Sequence, residues 1–184
     1  YRDFARATRG VKAPEMVLPT TAHVAWFKAS EYFGVKVRLL SLDKQLRADV
    51  SKLKGLINRQ TVMVLGSAPE YPHGTIDPIE AMGEIALKAG VPLHVDACVG
   101  GFILPFMAMN GIKLPLWDWR VPGVMSISAD LHKYGFAAKG AAGAAWKVEG
   151  SKAVCGQGRQ VAGHAGLRDG AAFNAADEGD VFCA

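Results

Sequence analysis

The chain has 184 residues, half of them hydrophobic and 21% charged, with a formal net charge of +4; that suffices for one soluble domain with a sizeable core. The small positive excess forms no basic stripe interleaved with aromatics, which argues against nucleic acid as a partner, and no apolar run reaches the ~18 residues of a membrane span. Cys98, Cys155 and Cys183 share no CxxC spacing, so neither a metal site nor a disulfide framework is expected, and a reducing compartment is the simpler reading.

In chain order, "EMVLP" from Glu15 to Pro19 reads as a short strand. "AHVAWFKASEYFG" reads as a helix that Gly34 stops. "VKVRLLSL" is a strand, and "DVSKLKGLIN" is a helix that Asp49 can cap. "TVMVLGSA" has the look of a buried strand. Asp77 and Pro78 open the next helix as cap residue and first-turn proline, with Ile79, Met82, Ile85, Ala86 and Ala89 at helical spacing. "VPLHVDAC" and "GVMSISAD" are further strands. This alternation predicts an α/β fold, a mostly parallel sheet covered by helices. From Ser151 to Ala184, 14 of 34 residues are Gly or Ala, and that composition reads as a disordered tail following a domain over 1–150.

Parallel sheets bind ligands at the carboxyl ends of their strands, so the residues there are inspected first. Asp96 ends the strand in "LHVDACVGG", and two glycines follow. Taken alone it reads equally well as a turn or cap residue. Lys133 follows the next strand, in "SADLHKYGFAAKG". A lysine in a crevice can form a Schiff base, and an aspartate can keep a pyridine nitrogen protonated. Together they are what pyridoxal phosphate chemistry requires of a protein, but many chains carry such a pair.

Longer blocks sharpen this. "LHVDAC" with "GGF", then "SISAD" with "HKYG", resemble the sphingosine-1-phosphate lyases, within the group II pyridoxal-phosphate decarboxylases of the aspartate aminotransferase-like fold (fold type I). "SAPEYPHGTIDPI" and "PEMVLPTTAHVAWFKASEYFGVK" resemble other blocks of that family in the same order, and the likeness runs from about Tyr1 to Gly140. It implies the large domain of that fold, in three layers, with pyridoxal 5'-phosphate as cofactor.

The resemblance also assigns roles. Lys133 matches the lysine that tethers the cofactor, and Asp96 the carboxylate that pairs with its ring nitrogen. His23 matches the histidine stacked on the ring, although by itself it reads as a core histidine. His132 is expected near the cofactor phosphate, with Ser126 and Ser128 as weaker candidates there. Lys139 matches a second lysine suited to proton transfer or substrate phosphate, against the plain reading of a solvated loop lysine. Ser67 and His73 sit on a loop able to line the pocket, His73 toward substrate. His94, Cys98, Trp117 and Trp119 read as packing residues. Leu131 stands where the lyases commonly have threonine.

The implied reaction is cleavage of a phosphorylated long-chain amine to an aldehyde and ethanolamine phosphate. Amino-acid decarboxylation uses the same aspartate and lysine and is the nearest alternative. A catalytically incompetent fragment is the third reading. The chain begins at Tyr1 without methionine, the family's upstream phosphate-holding segment is expected before it, and beyond Gly140 the family's next strand and small domain are not evident. A homodimer with its site at the subunit interface is implied, facing the cytoplasm. Whether an upstream helix anchors the parent in the endoplasmic reticulum membrane is left open.

Overall fold

The computed structural model describes residues 7, 8, 10–147 and, as backbone, 154–159. Its strands are β1 (Glu15–Pro19), β2 (Lys36–Leu40), β3 (Thr61–Ser67), β4 (Leu93–Asp96), β5 (Val124–Ala129), β6 (Ala141–Trp146) and β7 (Val154–Arg159). The helices are α1 (Val24–Phe33), α2 (Val50–Leu56), α3 (Ile79–Lys88) and α4 (Leu104–Met109). One sheet runs in the order β2-β1-β3-β4-β5-β6-β7. The first five strands pair in parallel, and β6 and β7 join antiparallel.

Side chains alternate across each strand and sort into two layers. Val17, Val64, Val95 and Ile127 project to one face, where they pack with Leu53 of α2 and Ile79, Met82 and Ala86 of α3. Met16, Leu18 and Leu65 project to the other, against Trp26 and Phe27 of α1. Each fully buried aliphatic side chain contributes about 1.5–3 kcal/mol. The expected α/β, mostly parallel architecture with helices on both faces is present.

Local chemistry explains most boundaries. Asp49 caps α2, its carboxylate accepting from the Ser51 N–H. Helix α1 starts two residues later than the stretch read from Ala22: His23 is its cap, with Nδ1 accepting from Ala25 N at 3.2 Å. Gly34, at φ 60°, closes that helix in the left-handed conformation that suits glycine.

Two readings need correction. Asp77 does not cap α3, whose N-cap is Pro78 without a side-chain bond. Its carboxylate instead accepts from Ala48 N and Ser67 N, both at 2.8 Å, stapling the segment before α2 to the end of β3. Beyond Gly140 a strand does follow: "AAGAAW" pairs with β5, Ser128 opposite Ala144. Alanine and glycine have low strand propensity, so composition hides a strand that a neighbouring ladder imposes. Strand β7 falls inside the stretch expected to be disordered; the rest of 151–184 lies outside the described residues.

Candidate active site

The chain leaves β1 for β2 on one side and returns to β3 on the other. The strand order reverses between β1 and β3, and in open parallel sheets ligands bind outside the carboxyl ends of the strands at such a point. His23 stands after β1, and Tyr71 lies in the loop after β3. Their rings meet edge-on, centroids 5.4 Å apart at 84°. A buried carboxylate shapes the second loop: Glu70 accepts from His73 N, Thr75 N and Thr75 Oγ1 at 2.9, 3.0 and 3.1 Å. The half-exposed His73 ring lies 3.4 Å from that carboxylate. Ser67 is buried, its backbone held by Asp77.

Asp96 sits next along this edge, at the end of β4 and 8% exposed. Its carbonyl accepts from Ala68 N at 2.9 Å, joining the loops after β3 and β4. That approach requires Gly100, because a Cβ there would run into the Ala68 carbonyl. The Asp96 carboxylate accepts from Trp26 Nε1 at 2.8 Å through Oδ2. Oδ1 accepts from Cys98 N at 3.1 Å and from Ser128 Oγ at 3.4 Å. Burial alone raises its pKa, but the bonds from Cys98 and Trp26 outweigh burial and hold it below the usual carboxylate range. The same burial, with the Asp96 charge, pushes the Cys98 thiol up, so it is no nucleophile at neutral pH.

His94 shares the Asp96 face, opposite Val95. Its Nδ1 lies 2.7 Å from Ser126 Oγ and its Nε2 3.2 Å from Ser128 Oγ. The strand register pairs His94 with Ser126 and Asp96 with Ser128. Burial pushes the His94 pKa down to about 4, against a smaller upward pull from Asp96, so the ring is neutral. Since Ser128 donates to Asp96, it accepts from an Nε2–H, and Ser126 donates to the bare Nδ1. Both serines are therefore engaged by His94, a residue the sequence reading left as packing.

Lys133 lies in the turn after β5, its Nζ 3.0 Å from Asp130 Oδ2. His132 Nδ1 is 2.6 Å from the Ala141 carbonyl, so that nitrogen carries the proton, and Nε2 faces Asp130 at 3.7 Å. Asp130 N donates to the Cys98 carbonyl at 3.2 Å, and Ala97 N to the Ser128 carbonyl at 2.9 Å. These bonds tie the Lys133 turn to the Asp96 turn. Lys139 is exposed before β6, and no hydrogen bond or ion pair joins it to Asp96 or Lys133. Sequence reasoning missed Trp26, Asp130, Glu70 and Asp77. Trp26 could have been found, three residues and so about one helical turn beyond His23.

The donor set suits pyridoxal phosphate: a buried, ionised carboxylate for a protonated ring nitrogen, a partly exposed lysine, and a histidine ring after β1.

Comparisons with known proteins agree. Residues 7–156 match the profile of the pyridoxal-dependent decarboxylase conserved domain, past the Gly140 limit set by the sequence blocks. The chain is 49% identical over 139 residues to a sphingosine-1-phosphate lyase of Arabidopsis thaliana, covering 76% of this chain and 26% of that protein. It is 41% identical over 133 residues to a probable L-tyrosine/L-aspartate decarboxylase of Methanothermobacter thermautotrophicus, covering 72% and 37%. The solved sphingosine-1-phosphate lyase of Burkholderia pseudomallei superposes with a TM-score of 0.77 at 44% identity, over 79% of this chain and 34% of that one. The chain thus spans about a quarter of the length of the curated lyases it matches. With the parallel sheet, the carboxylate at the end of β4 and the lysine after β5, these matches show that the chain belongs to the pyridoxal-dependent decarboxylase family, as a homologue of the sphingosine-1-phosphate lyases.

Proposed function

We propose that the protein containing this chain is a pyridoxal-phosphate-dependent carbon–carbon lyase. It cleaves a phosphorylated sphingoid base to a long-chain aldehyde and ethanolamine phosphate. The observation that carries the reading is the ionised Asp96 at the end of β4, hydrogen-bonded across to the neighbouring strand whose turn bears Lys133.

Bound here, pyridoxal phosphate supplies a protonated ring that draws electrons from a bond at the amine-bearing carbon of a substrate. Asp96 would accept a hydrogen bond from the ring N–H and so keep that nitrogen protonated. Lys133 would hold the cofactor through Nζ, which would have to leave Asp130 to do so. His23, which follows β1, would stack on the ring and shield it from water. His132 holds its Nδ1 proton on the Ala141 carbonyl and offers Nε2 toward the cofactor phosphate. Lys139 and His73, both exposed, are assigned to the substrate side, where Lys139 moves a proton or meets the substrate phosphate. Ser67, Ser126 and Ser128 support the site.

The second reading, amino-acid decarboxylation, is favoured by the archaeal relative. The higher identity to the lyases favours carbon–carbon cleavage. A homodimer completing the site belongs to this reading, supported by the exposed Tyr32 and Phe33 of α1 and Phe106 and Met109 of α4. So does a cytoplasmic-facing location. Among the described residues no helix is long and apolar enough to cross a membrane.

Borohydride trapping is the test. The chain is incubated with pyridoxal phosphate, reduced and digested, and the modified lysine is identified by mass spectrometry. A dominant adduct on Lys133, lost in Lys133→Ala, is expected; scattered surface labelling unaffected by that change overturns the site and leaves an incompetent fragment. With the intact parent, aldehyde from a phosphorylated sphingoid base separates the lyase from carbon dioxide released by a decarboxylase.

A further inference from the structure

We propose that Trp26 is a positioning residue: its indole N–H fixes the Asp96 carboxylate in the orientation that receives the cofactor's ring nitrogen. The proposal rests on the reading of Asp96 above.

A carboxylate at a strand end turns about its own axis unless both oxygens are held. Two partners hold Oδ1, the Cys98 N–H and the Ser128 hydroxyl. Oδ2 is held by Trp26 Nε1 at 2.8 Å, the shortest of the three bonds. An indole N–H only donates, so it cannot exchange roles as a hydroxyl can, and a bond to an ionised acceptor is among the stronger kinds. Each carboxylate oxygen has room for a second donor, which leaves Oδ2 open to a ring N–H.

The indole is itself oriented. The His94 ring lies against it, centroids 5.1 Å apart and tilted by 60°. His94 cannot turn, because Ser126 and Ser128 hold both its nitrogens. A continuous path, Ser126–His94–Ser128–Asp96–Trp26, therefore runs across β4 and β5 to α1. It ends on the first turn of the helix that His23 caps, so the helix that brings the ring-facing histidine also aims the carboxylate. A tryptophan serving only to fill space against Met16, Leu18 and Leu65 would need no such contact.

The test uses Trp26→Phe, which keeps an aromatic ring and deletes the donor. In the chain without cofactor, the side-chain carboxyl of Asp96 is titrated by carbon-13 NMR. Retention of pyridoxal phosphate is measured by equilibrium dialysis. Expected are a higher Asp96 midpoint in the variant and cofactor retention about tenfold weaker. In the unaltered chain the Trp26 indole N–H resonance should titrate together with Asp96, which needs no variant to fold. An unmoved midpoint, or an indole resonance that ignores Asp96, overturns the proposal. So does a raised midpoint with unchanged retention, which would leave Trp26 structural. Asp96→Ala separates the two claims: if it retains the cofactor like the unaltered chain, the reading of Asp96 itself has failed.

Discussion

Asp130 Oδ2 lies 3.0 Å from Lys133 Nζ, three residues away in the same turn. The amine that would tether the cofactor is thus parked on a carboxylate whose backbone is fixed to the Asp96 turn. A pair about one-third exposed on the lysine side is worth little in stability, ~0.2–1 kcal/mol. Its value is in placing Nζ. Asp130→Asn should reduce the share of borohydride-trapped adduct on Lys133 by about two- to fivefold, with the urea midpoint nearly unchanged. Peptide mapping of the reduced protein reads the first, and denaturation the second.

Two buried groups titrate in overlapping windows with opposite effects. Burial raises Asp77 from 3.8 to about 6, so the native state takes up its proton first as pH falls. Stability from this group is gained between pH 6 and 4 on acidification. Burial lowers His94 from 6.5 to about 4, so the unfolded state takes up the proton first. Stability from this group is lost as pH falls through the same range. Each effect amounts to about 3 kcal/mol across its window, and they oppose. The unaltered chain should show a nearly level stability between pH 4 and 6. Asp77→Asn should make stability fall on acidification, and His94→Gln should make it rise. Urea midpoints at half-unit pH steps test this, and equal slopes in both variants would refute it.

Gly100→Ala places a methyl against the Ala68 carbonyl and Leu104. Backbone cannot yield as a side chain does, so a loss of about 1–3 kcal/mol is expected. Pyridoxal phosphate retention should fall as well, because the Ala68–Asp96 bond joins the two loops that separate. Denaturation and dialysis on one preparation measure both.

Ser126→Ala strips the hydroxyl from His94 Nδ1 and leaves a buried acceptor unpaired, which costs about 1–3 kcal/mol. If Ser126 served the cofactor phosphate instead, stability without cofactor would be unchanged and only cofactor retention would drop. Comparing urea midpoints with and without the cofactor distinguishes the roles.

The positions of Asp96 and Lys133 were legible because each follows a short apolar run, and a run of that kind ends at the ligand edge of a parallel sheet. Their partners were not. Which side chains meet across strands depends on register, and the register slips between Leu93 and His94. That slip decides that His94 faces Ser126, and no periodicity in the sequence reports it. Trp26 reaches Asp96 across 70 positions of chain, so only the docking of α1 reveals the pair. Asp77 looked like a cap because an aspartate before Pro78 normally is one; tertiary hydrogen bonds claimed its carboxylate. Strand β6 was invisible because alanines and glycines carry little local preference.

The sheet order has a consequence for synthesis. A chain emerging amino end first can pair β1 with β2, but β3 must then add to the opposite side of β1, and β4 and β5 follow outward one by one. His23 is in place early, Asp96 later, and Lys133 only when β5 has docked. Until then the polar face bearing His94 and Asp96 borders an open strand edge, the kind of surface that invites pairing with another chain. The strand that leads into the Lys133 turn thus also closes the open edge of β4, and β6 in turn closes the edge of β5.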